Sequence, residues 1–501
     1  MPTFIDPLQR ALQVGADRTA VLYKGHSTSY RELWTRCRKL AGMVSAQGAV
    51  PGDRIAILAN NSPQYLEMYV GLPAAGFVIV PLNTRHAEPE LRYALEDAGA
   101  KLLITDRDPG TLSDLVDVVI SVPDEYETLL GNAAEMELGI GVTEDTLAGL
   151  FYTGGTTGAS KGVMLSHRNL ISNAMHNLTF LQPSEDDVWQ IMAPMFHAAG
   201  TNSVLIGIWS ATCQIPLAAF DPATALDLIE RHGVTHTLGV PAMVAAITEL
   251  QLREPRDVST LQVVAHGGSP IATEVIRRAQ KAFPTAEFVH VYGATETSPL
   301  ITGMRNEQLY LDEPRGRSCG QALIGVQVKI VDPDGKDLPS GEVGEVVTKG
   351  PNIMLGYWQK PEQTAAVLRD GWYHTGDLGR LDANGYLYLV DRAKDMIVTG
   401  GENVYCSEVE EALYKHPAVL EAAVIGVPDG KWGEAVHAVV VLREAVSAEE
   451  LIDFCRQHIA GYKLPKGITF SETELPKSGP GKILKRELRQ PFWEGKQSGI
   501  N

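Results

Sequence analysis

A glycine- and threonine-rich stretch, FYTGGTTGASKGV at 151–163, has the residue types of a phosphate-binding loop. Its glycines are unsuited to a helix or strand interior, where each costs up to about 1 kcal/mol. They can instead let backbone N–H groups approach a polyphosphate, while Thr153, Thr156 and Thr157 add hydroxyl donors and Lys161 adds a charge. The Gly-Lys-Ser/Thr ending of a Walker loop is missing at the required spacing, which argues against a P-loop NTPase. An ordinary surface loop is the alternative interpretation.

Four further motifs follow this loop along the chain: VYGATETSP (291–299), YHTGDLG (373–379), DRAKDMIVTGGENVY (391–405) and PKSGPGKILK (476–485). Together with the loop they strongly resemble the adenylate-forming superfamily, which comprises acyl-CoA synthetases, peptide-synthetase adenylation domains and beetle luciferases. The resemblance runs through nearly the whole chain and is strongest to the fatty-acyl and aryl CoA ligases. It implies an AMP-forming acid–thiol ligase that uses ATP, Mg²⁺ and coenzyme A.

The chemistry that the resemblance implies has two half-reactions. A carboxylate attacks the α-phosphate of ATP to give an acyl-adenylate and pyrophosphate, and the coenzyme A thiol then displaces AMP. The first half-reaction depends on charge neutralisation and alignment. The implied catalytic residues are Lys482, which stabilises the charge on the α-phosphate, with His197, Thr295 and Glu296. Glu296 is also the implied Mg²⁺ ligand, since a hard ion prefers oxygen donors.

The resemblance also implies a set of nucleotide-binding residues. Tyr292 and Gly293 face adenine opposite the HGGSP glycines, Asp377 accepts the ribose hydroxyls, and Arg392 contacts the ribose or α-phosphate. Each has an ordinary alternative: a core tyrosine, a turn-closing aspartate, a solvated arginine, and for Glu296 a capping or surface role. The full set is Thr153, Gly154, Gly155, Thr156, Thr157, Gly158, Lys161, Gly267, Gly268, Ser269, Tyr292, Gly293, Asp377, Arg392, Lys394, Gly400 and Gly401.

The two half-reactions place different demands on one cleft, because Lys482 must face the α-phosphate first and coenzyme A must reach the same carbon later. The resemblance implies that the C-terminal domain rotates between them, with Lys394 at the pivot and with Gly400 and Gly401 along the pantetheine tunnel. A solvated linker and a simple basic patch around Lys482 are the alternatives.

The choice of acid depends on PMFHAAG at 194–200, which matches the acid-site motif of the family. We interpret His197 as a positioning residue or gate, not a base, because a single histidine after an apolar run is more often structural. Ala198 disfavours an amino-acid substrate, whose ammonium would lack a partner. The apolar segments THTLGVPAM (235–243) and ITGM (301–304) favour a hydrophobic acyl chain or ring without fixing its length, and we predict a medium- or long-chain fatty acid. Alternatives are an aromatic acid of the cinnamate or ferulate type, a carrier-protein-loading ligase, and a non-catalytic binding protein on a ligase scaffold.

The elements that must position these residues follow from hydrophobic patterning. Between about 20 and 310, apolar runs alternate with amphipathic helical patterns, which predicts an α/β fold with layered sheets. Asp221 as N-cap and Gly233 as C-cap delimit one helix, and Ser407–Glu410 and Ser447–Glu450 suggest capping boxes. A small β-rich subdomain follows residue 320, and a compact α+β domain ends the chain. The predicted domains are 1–391, a hinge at 392–394, and a mobile C-terminal domain at 395–501.

Composition narrows the cellular role. A chain of 501 residues is too long for one hydrophobic core and predicts two or three domains. The net charge of −18 argues against a surface that binds nucleic acid. No apolar run reaches the roughly 20 residues of a membrane helix and the N-terminus lacks a secretory pattern, so a cytoplasmic location is expected. The five scattered cysteines fit a reducing compartment, and we predict a structural thiol at Cys406. The expected partners are small molecules, namely a carboxylic acid, ATP and coenzyme A. The sequence allows a homodimer but does not predict one.

Overall fold

The computed structural model describes residues 2–153, 160–269, 271–392, 395–400, 402–477 and 483–494. The chain divides into two compact units, the first made of 1–328 with 348–373 and the second of 329–347 with 374–501. The division between the units does not coincide with the predicted boundary at 391–395. Residues 329–347 and 374–391, which the sequence pattern predicts to belong to the N-terminal domain, group with the C-terminal residues. The hinge at 392–394 therefore stays a prediction.

Helices account for the amphipathic patterns of the sequence. The α-helices are α1 (Ile5–Gly15), α2 (Tyr30–Ala46), α3 (Pro63–Ala74), α4 (Glu88–Ala98), α5 (Asp124–Asn132), α6 (His167–Leu181), α7 (Ala198–Ser210), α8 (Pro222–His232), α9 (Pro241–Arg253), α10 (Thr273–Ala282), α11 (Pro361–Val367), α12 (Cys406–Tyr414), α13 (Ala448–Arg456) and α14 (Lys485–Trp493). Short 3₁₀ helices cover Gly110–Leu115, Thr295–Thr297, Glu307–Leu309, Pro314–Arg317 and Gly461–Lys463.

Strands occupy the apolar runs. They are β1 (Thr19–Tyr23), β2 (His26–Ser29), β3 (Arg54–Leu58), β4 (Val78–Pro81), β5 (Leu102–Thr105), β6 (Val118–Ser121), β7 (Leu147–Thr153), β8 (Lys161–Ser166), β9 (Val188–Ile191), β10 (Cys213–Pro216), β11 (His236–Gly239), β12 (Val263–Gly267), β13 (Glu287–Gly293), β14 (Leu300–Met304), β15 (Gln321–Ala322), β16 (Gln327–Val331), β17 (Gly344–Lys349), β18 (Gly356–Tyr357), β19 (Leu368–Arg369), β20 (Trp372–Leu381), β21 (Leu387–Arg392), β22 (Ile397–Thr399), β23 (Glu402–Val404), β24 (Val419–Asp429), β25 (Gly433–Leu442) and β26 (Gly467–Phe470).

Two large sheets build the first unit. One has nine strands in the order β15-β14-β13-β12-β11-β9-β10-β1-β2, and the other has seven in the order β18-β8-β7-β4-β3-β5-β6. The inner strands of both are parallel. Strand β4 is fully buried and apolar throughout, and β3 is so after its first residue, Arg54, as expected for sheets covered on both faces. The predicted layered α/β fold is confirmed.

Helix α8 begins and ends where the sequence predicts. The Asp221 carboxylate accepts a 2.8 Å hydrogen bond from the backbone N–H of Thr224, and Pro222 occupies the first helical position. Gly233 ends the helix with φ of 64°, a left-handed conformation that glycine adopts without strain. The strand β11 follows at once and leads to the sheet edge that carries candidate site residues.

A third sheet has the order β16-β17-β20-β19, with β21 paired to β20, and corresponds to the β-rich subdomain predicted after residue 320. The C-terminal part of the second unit has a sheet in the order β23-β22-β25-β24, with β26 paired to β25, and its own apolar core. Within the described residues, no helix is long and apolar enough to cross a membrane.

One capping prediction is wrong. Helix α12 begins at Cys406, after Tyr405, and the Ser407 hydroxyl donates to the backbone carbonyl of Val390 instead of capping the helix. Glu410 forms a buried ion pair with Lys485. Tertiary partners thus override the local pattern in this helix.

The second capping motif is partly confirmed. The Ser447 hydroxyl accepts a 3.1 Å bond from the backbone N–H of Glu450, so Ser447 is the N-cap of α13.

Candidate active site

The C-terminal edges of the two large sheets carry most of the predicted site. The parallel strands β9, β11, β12 and β13 end at Ile191, Gly239, Gly267 and Gly293, so the residues that follow lie along one edge. In the seven-stranded sheet, β7 ends at Thr153 and β8 begins at Lys161 on the corresponding edge. Ligands of open α/β sheets bind outside the carboxyl ends of parallel strands. The sequence motifs therefore converge where this fold type binds ligands.

Asn61 joins the two edges. It follows β3 of the seven-stranded sheet, and its Nδ2 donates a 2.9 Å hydrogen bond to the carbonyl of Ala193, just after β9 of the nine-stranded sheet. Its Oδ1 accepts a 2.7 Å bond from the backbone N–H of Met195. The side chain is buried, so both bonds are protected from water. The two sheet edges consequently face each other across one site within the first unit.

The ends of the glycine–threonine loop form a strand pair. Thr153 and Lys161 are register partners in the antiparallel β7–β8 ladder, and the Ser160 hydroxyl donates a 2.7 Å bond to the carbonyl of Thr153. The loop therefore begins and ends at one point of the sheet edge. The predicted phosphate donors Gly154, Gly155, Thr156, Thr157 and Gly158 lie outside the described residues.

Tyr357 connects the predicted phosphate lysine to the predicted metal ligand. The ammonium of Lys161 lies 4.6 Å from the centroid of the Tyr357 ring. The Tyr357 hydroxyl donates a 3.0 Å hydrogen bond to Oε1 of Glu296, which lies in the 3₁₀ turn Thr295–Thr297. Burial, together with the Glu296 charge, raises the pKa of Tyr357, so the hydroxyl keeps its proton and remains a donor. The structure thus brings Lys161 and Glu296 to one side chain.

The backbone around Tyr357 fixes its direction. The two-residue strand β18 pairs with β8, with Tyr357 opposite Val163. The Tyr357 N–H donates 2.9 Å to the Thr364 hydroxyl. Gly356 has φ of 141°, and a Cβ atom there would lie 2.6 Å from Cγ2 of Thr364. A larger residue at Gly356 would therefore displace the strand that presents the tyrosine.

Buried asparagines of helix α6 hold the loops that carry these groups. Asn169 Nδ2 donates to the carbonyls of Pro351 and Ile353, at 2.9 and 2.6 Å, in the segment before Tyr357. Asn173 Nδ2 donates 2.7 Å to the carbonyl of Leu300, just after the Glu296 turn. Backbone groups that lack sheet partners are satisfied by these side chains. Helix α6 thus positions both loops from the interior.

The predicted adenine-binding glycines have structural reasons of their own. A Cβ atom on Gly293 would lie 1.9 Å from the carbonyl oxygen of Pro299, and one on Gly267 would lie 2.3 Å from that of Val291. Gly268 adopts φ of 84°. Tyr292 is half-buried at the end of β13, and Ser269 is half-buried after β12. The two predicted walls therefore lie on neighbouring strands, with backbone approaching closely at each.

His197 precedes helix α7 and carries a buried ring nitrogen. Among the described residues, no group hydrogen-bonds to its Nε2. Burial, with smaller contributions from the nearby Arg85 and His86, lowers the pKa of His197 to about 4. The imidazole is therefore neutral at physiological pH. A neutral ring whose Nε2 has no hydrogen-bond partner among the described residues suits a positioning role. It does not suit a role that requires a positively charged imidazolium.

Asp377 and Arg392 lie together in the second unit as register partners on β20 and β21. Gly376 and Asp377 lie within strand β20, and not in the tight turn that the sequence suggests. Gly376 has φ of 71°, and its N–H donates 3.1 Å to Oε1 of Glu345. The Asp377 N–H donates 3.1 Å to the Thr375 hydroxyl. Asp377 is thus held in the strand, opposite the position of Arg392.

The other predicted residues of the second unit are only partly described. Gly400 has φ of 61°, and a Cβ atom there would lie 2.7 Å from the Trp432 ring, which is reason enough for a glycine. Lys394, Gly401 and Lys482 lie outside the described residues.

Comparison with known proteins shows the family of the chain. The family model of AMP-binding enzymes matches residues 8–358, and the model of their C-terminal domain matches 408–482. The chain belongs to the AMP-binding enzyme family. This AMP-binding enzyme is therefore a member of the adenylate-forming superfamily, as its motifs indicate.

Relatives of the enzyme include acid–CoA ligases of several kinds. It is 39% identical to a feruloyl-CoA synthase of Amycolatopsis sp., over 97% of this chain and 98% of that one. It is 33% identical to a long-chain-fatty-acid–CoA ligase of Bacillus subtilis, over 94% and 91%. The solved o-succinylbenzoate CoA synthetase of Bacillus subtilis, in complex with its acyl-adenylate intermediate, superimposes with a TM-score of 0.88 at 30% identity, over 100% and 99%. The same synthetase in complex with ATP and magnesium ion gives 0.87 at 31% identity, over 96% and 99%.

The AMP-binding enzyme is consequently an ATP-dependent acid–CoA ligase that works through an acyl-adenylate. This assignment disfavours the hypothesis of a non-catalytic binding protein. Which acid it activates does not follow from the family, because the relatives differ in that respect.

The donor set suits a magnesium ion shared with a phosphate ligand. Within the described ranges, no group of three or more His, Cys, Asp or Glu side chains could hold a metal alone. Mg²⁺ is commonly bound by one or two carboxylates together with substrate phosphates. The half-buried carboxylate of Glu296, oriented by Tyr357, fits that pattern.

Proposed function

We propose that this ligase activates an aromatic carboxylic acid of the cinnamate or ferulate type, ahead of the fatty acid that the sequence favours. The observation that carries the proposal is the position of Met192, whose Cε lies 2.4 Å from where a Cβ atom of Gly239 would be. Met192 and Met243 are buried in the apolar cluster behind this edge. Because Met192 and Met243 occupy the space beside Gly239, we expect this part of the site to accept a flat ring more readily than a long chain. The similarity to a feruloyl-CoA synthase supports the same class.

In the adenylation half-reaction, a carboxylate oxygen of the acid attacks the α-phosphorus of ATP and the bond to pyrophosphate breaks. Lys161 and the loop from Thr153 to Gly158 bind the phosphates, and Thr295 contacts the α-phosphate. Glu296 would hold Mg²⁺, which supplies neutralisation of phosphate charge when bound. These side chains act by alignment and electrostatics, since phosphoryl transfer needs little covalent help.

Nucleoside recognition falls to two sets of residues. Tyr292 and Gly293 face adenine opposite Gly267, Gly268 and Ser269, and the rigid backbone at each glycine favours a flat slot. In the second unit, Asp377 accepts the ribose hydroxyls, and Arg392, its register partner, contacts the ribose or the α-phosphate. Lys482 neutralises the charge that develops at the α-phosphate.

His197 orients the acid. The neutral imidazole can donate one hydrogen bond from its buried Nε2 to a carboxylate oxygen. A bond formed in a buried, low-dielectric position is strong and directional. His197 therefore aligns the nucleophilic oxygen without taking its proton.

In the thioester half-reaction, the coenzyme A sulfur attacks the acyl carbon, the bond to the phosphate oxygen breaks, and AMP leaves. The thiol proton passes to solvent. We assign Lys394 to the pivot of the C-terminal domain, and Gly400 and Gly401 to the pantetheine path.

A panel of acids tests the substrate class. CoA thioester formation is measured with cinnamate, ferulate, octanoate and palmitate, and the aryl acids are expected to have the higher kcat/KM. A strict preference for the fatty acids would contradict the proposal. Pyrophosphate release by Lys482→Ala is expected to fall on the order of 10²–10³-fold.

A fatty acid is the second candidate. Methionine is flexible, so Met192 can move away from Gly239 and open the floor to an alkyl chain. The similarity to a long-chain-fatty-acid–CoA ligase favours this alternative. The acid panel separates the two.

A further inference from the structure

A buried ion pair in the second unit lies outside the machinery described above. The ammonium of Lys485, the first residue of α14, lies 2.8 Å from Oε1 of Glu410 on α12, and the two side chains are 17% and 18% exposed. The same Oε1 accepts a 2.7 Å bond from the backbone N–H of Val424. Burial lowers the pKa of Lys485, but the charges of Glu410 and Asp391 outweigh it and raise the pKa above its ordinary value. A buried pair of this kind is weak evidence for stability, because desolvation offsets its attraction. Its geometry points to another role.

The pair is tied to the residues that flank the predicted hinge. The backbone N–H of Cys406, four residues before Glu410, donates to the carboxylate of Asp391. The Cys406 thiol donates a 2.9 Å bond to the backbone carbonyl of Asp395. Arg489 of α14 faces the Asp395 carboxylate at 3.8 Å. Helices α12 and α14 are therefore connected to the chain on both sides of 392–394.

The segment 478–482 is bracketed by a second set of contacts. Lys477 and Ile483 are antiparallel partners, and the Leu484 N–H donates 2.8 Å to the carbonyl of Pro476. Glu421 of β24 forms an ion pair with Lys477 and accepts a 3.0 Å bond from the backbone N–H of Leu475. Each side of the segment is thus held by one glutamate, Glu421 before it and Glu410 after it.

We propose that the Glu410–Lys485 pair positions the base of the segment containing Lys482 for adenylation, by fixing α14 against the residues that flank the hinge. The inference rests on the proposed role of Lys482 in the first half-reaction. Glu410 and Lys485 are positioning residues and touch no substrate. Only two residues lie between Lys482 and Lys485, so a displacement of α14 would be passed on to the chain next to Lys482.

The pair should affect the two half-reactions unequally. A misplacement of about 1 Å of a catalytic group can cost about 10²-fold in rate. Lys482 is assigned to adenylation and not to thioester formation. Loss of the pair should therefore slow the first half-reaction and spare the second, whereas a purely structural pair would affect both.

The test uses full-length Lys485→Met and Glu410→Gln proteins with the best acid of the panel. Adenylation is measured as pyrophosphate release without coenzyme A, and thioester formation is measured from supplied acyl-adenylate and coenzyme A. We expect adenylation to fall on the order of 10²-fold with little change in the second step. Lys485→Arg, which keeps the charge, should restore most of the adenylation rate. The control Lys415→Met breaks the exposed Glu411–Lys415 pair at the end of α12 and should change neither step.

Two outcomes would overturn the inference: an equal loss in both half-reactions, or adenylation by Lys485→Met at the wild-type rate. Assays are run below the thermal midpoint of each variant, and Glu410→Gln, which keeps an oxygen acceptor for Val424, serves if Lys485→Met does not fold. Failure of the proposed function would look different, because wild type would then release no pyrophosphate or Lys482→Ala would release it normally.

Discussion

The hydroxyl of Tyr357 donates a 3.0 Å hydrogen bond to Oε1 of Glu296. The same ring lies under the ammonium of Lys161, so one buried tyrosine contacts both the predicted phosphate lysine and the predicted metal ligand. The contact crosses from the edge of the seven-stranded sheet to that of the nine-stranded sheet. Tyr357 thereby links the two groups that we propose to neutralise the charge of one polyphosphate.

Tyr357→Phe removes the hydroxyl and keeps the ring. A hydrogen bond to a charged group contributes about 1.5–3 kcal/mol, so Glu296 should be held less well, and the Mg²⁺ concentration for half-maximal adenylation should rise about tenfold or more. Pyrophosphate release against Mg²⁺ concentration at constant ATP measures this. The matched control is Tyr126→Phe, which removes a 3.1 Å tyrosine–glutamate bond to Glu67 elsewhere in the first unit. An unchanged Mg²⁺ requirement in Tyr357→Phe would contradict the prediction.

The pH dependence of the reaction tests the state of His197. Its pKa is about 4 against an ordinary value of 6.5, chiefly because of burial, so the ring stays neutral as the pH falls from 8 to 5. If the pKa of His197 had its ordinary value, the ring would become protonated below pH 6.5. The active neutral form would then decrease, and kcat/KM would fall about tenfold per pH unit.

We therefore expect His197→Asn to lower kcat/KM at every pH while leaving the shape of its pH profile unchanged between 5 and 8. The profile of kcat/KM reports groups of the free enzyme, which is the state described by the structure. Disappearance of an acid limb near pH 6.5 in the variant would show that the histidine titrates there and would refute the expectation.

Gly293→Ala tests the close approach of β13 to the turn that carries Glu296. The added Cβ atom would lie 1.9 Å from the carbonyl oxygen of Pro299, so one of the two backbones must move. A shift of about 1 Å in that turn should slow adenylation on the order of 10²-fold. Pyrophosphate release measures it, with Gly131→Ala as control because no atom lies within 4 Å of its added Cβ. Equal rates for the two variants would mean that the turn tolerates the change.

The sequence predicts the site better where a motif ends a regular strand than where it depends on tertiary contacts. Gly267 and Gly293 end buried parallel strands, so periodicity together with the family resemblance brings their motifs to one edge. Tyr357 could not be found this way, because β18 has two residues and no period. Asn61 was missed because it lies in a loop, and the partners of a buried loop asparagine are known only once the two sheets are assembled.

Helix caps show where a prediction from local sequence fails and where it succeeds. The pattern Ser407–Glu410 satisfies a local rule, but the serine hydroxyl bonds the carbonyl of Val390 and the glutamate binds Lys485. Both partners are distant in sequence, and their bonds override a preference worth about 1 kcal/mol. Local energies of this size decide helix α8, whose cap at Asp221 faces no competing partner of that kind among the described residues.

Met192→Ala tests whether the methionine limits the length of the acid. Removing the side chain opens the space beside Gly239, where Met192 Cε now lies 2.4 Å from the position of a glycine Cβ. Each methylene that a pocket accepts contributes about 1–3 kcal/mol to discrimination. We expect the ratio of kcat/KM for long over short acids to rise roughly tenfold per added methylene until the new space is filled.

The acid panel, extended by hexanoate and decanoate, measures that ratio in wild type and variant. Truncating a buried methionine also costs about 2–5 kcal/mol of stability, so a general loss of activity must be separated from a change in preference. Met68→Ala provides the comparison, because Met68 on α3 is as buried as Met192 but belongs to a different apolar cluster. A length preference that shifts in Met192→Ala but not in Met68→Ala assigns the limit to Met192, since stability loss alone lowers all acids together. If neither variant changes the length preference, Met192 does not limit the length of the acid. The physical reason for ranking an aryl acid above a fatty acid would then be lost.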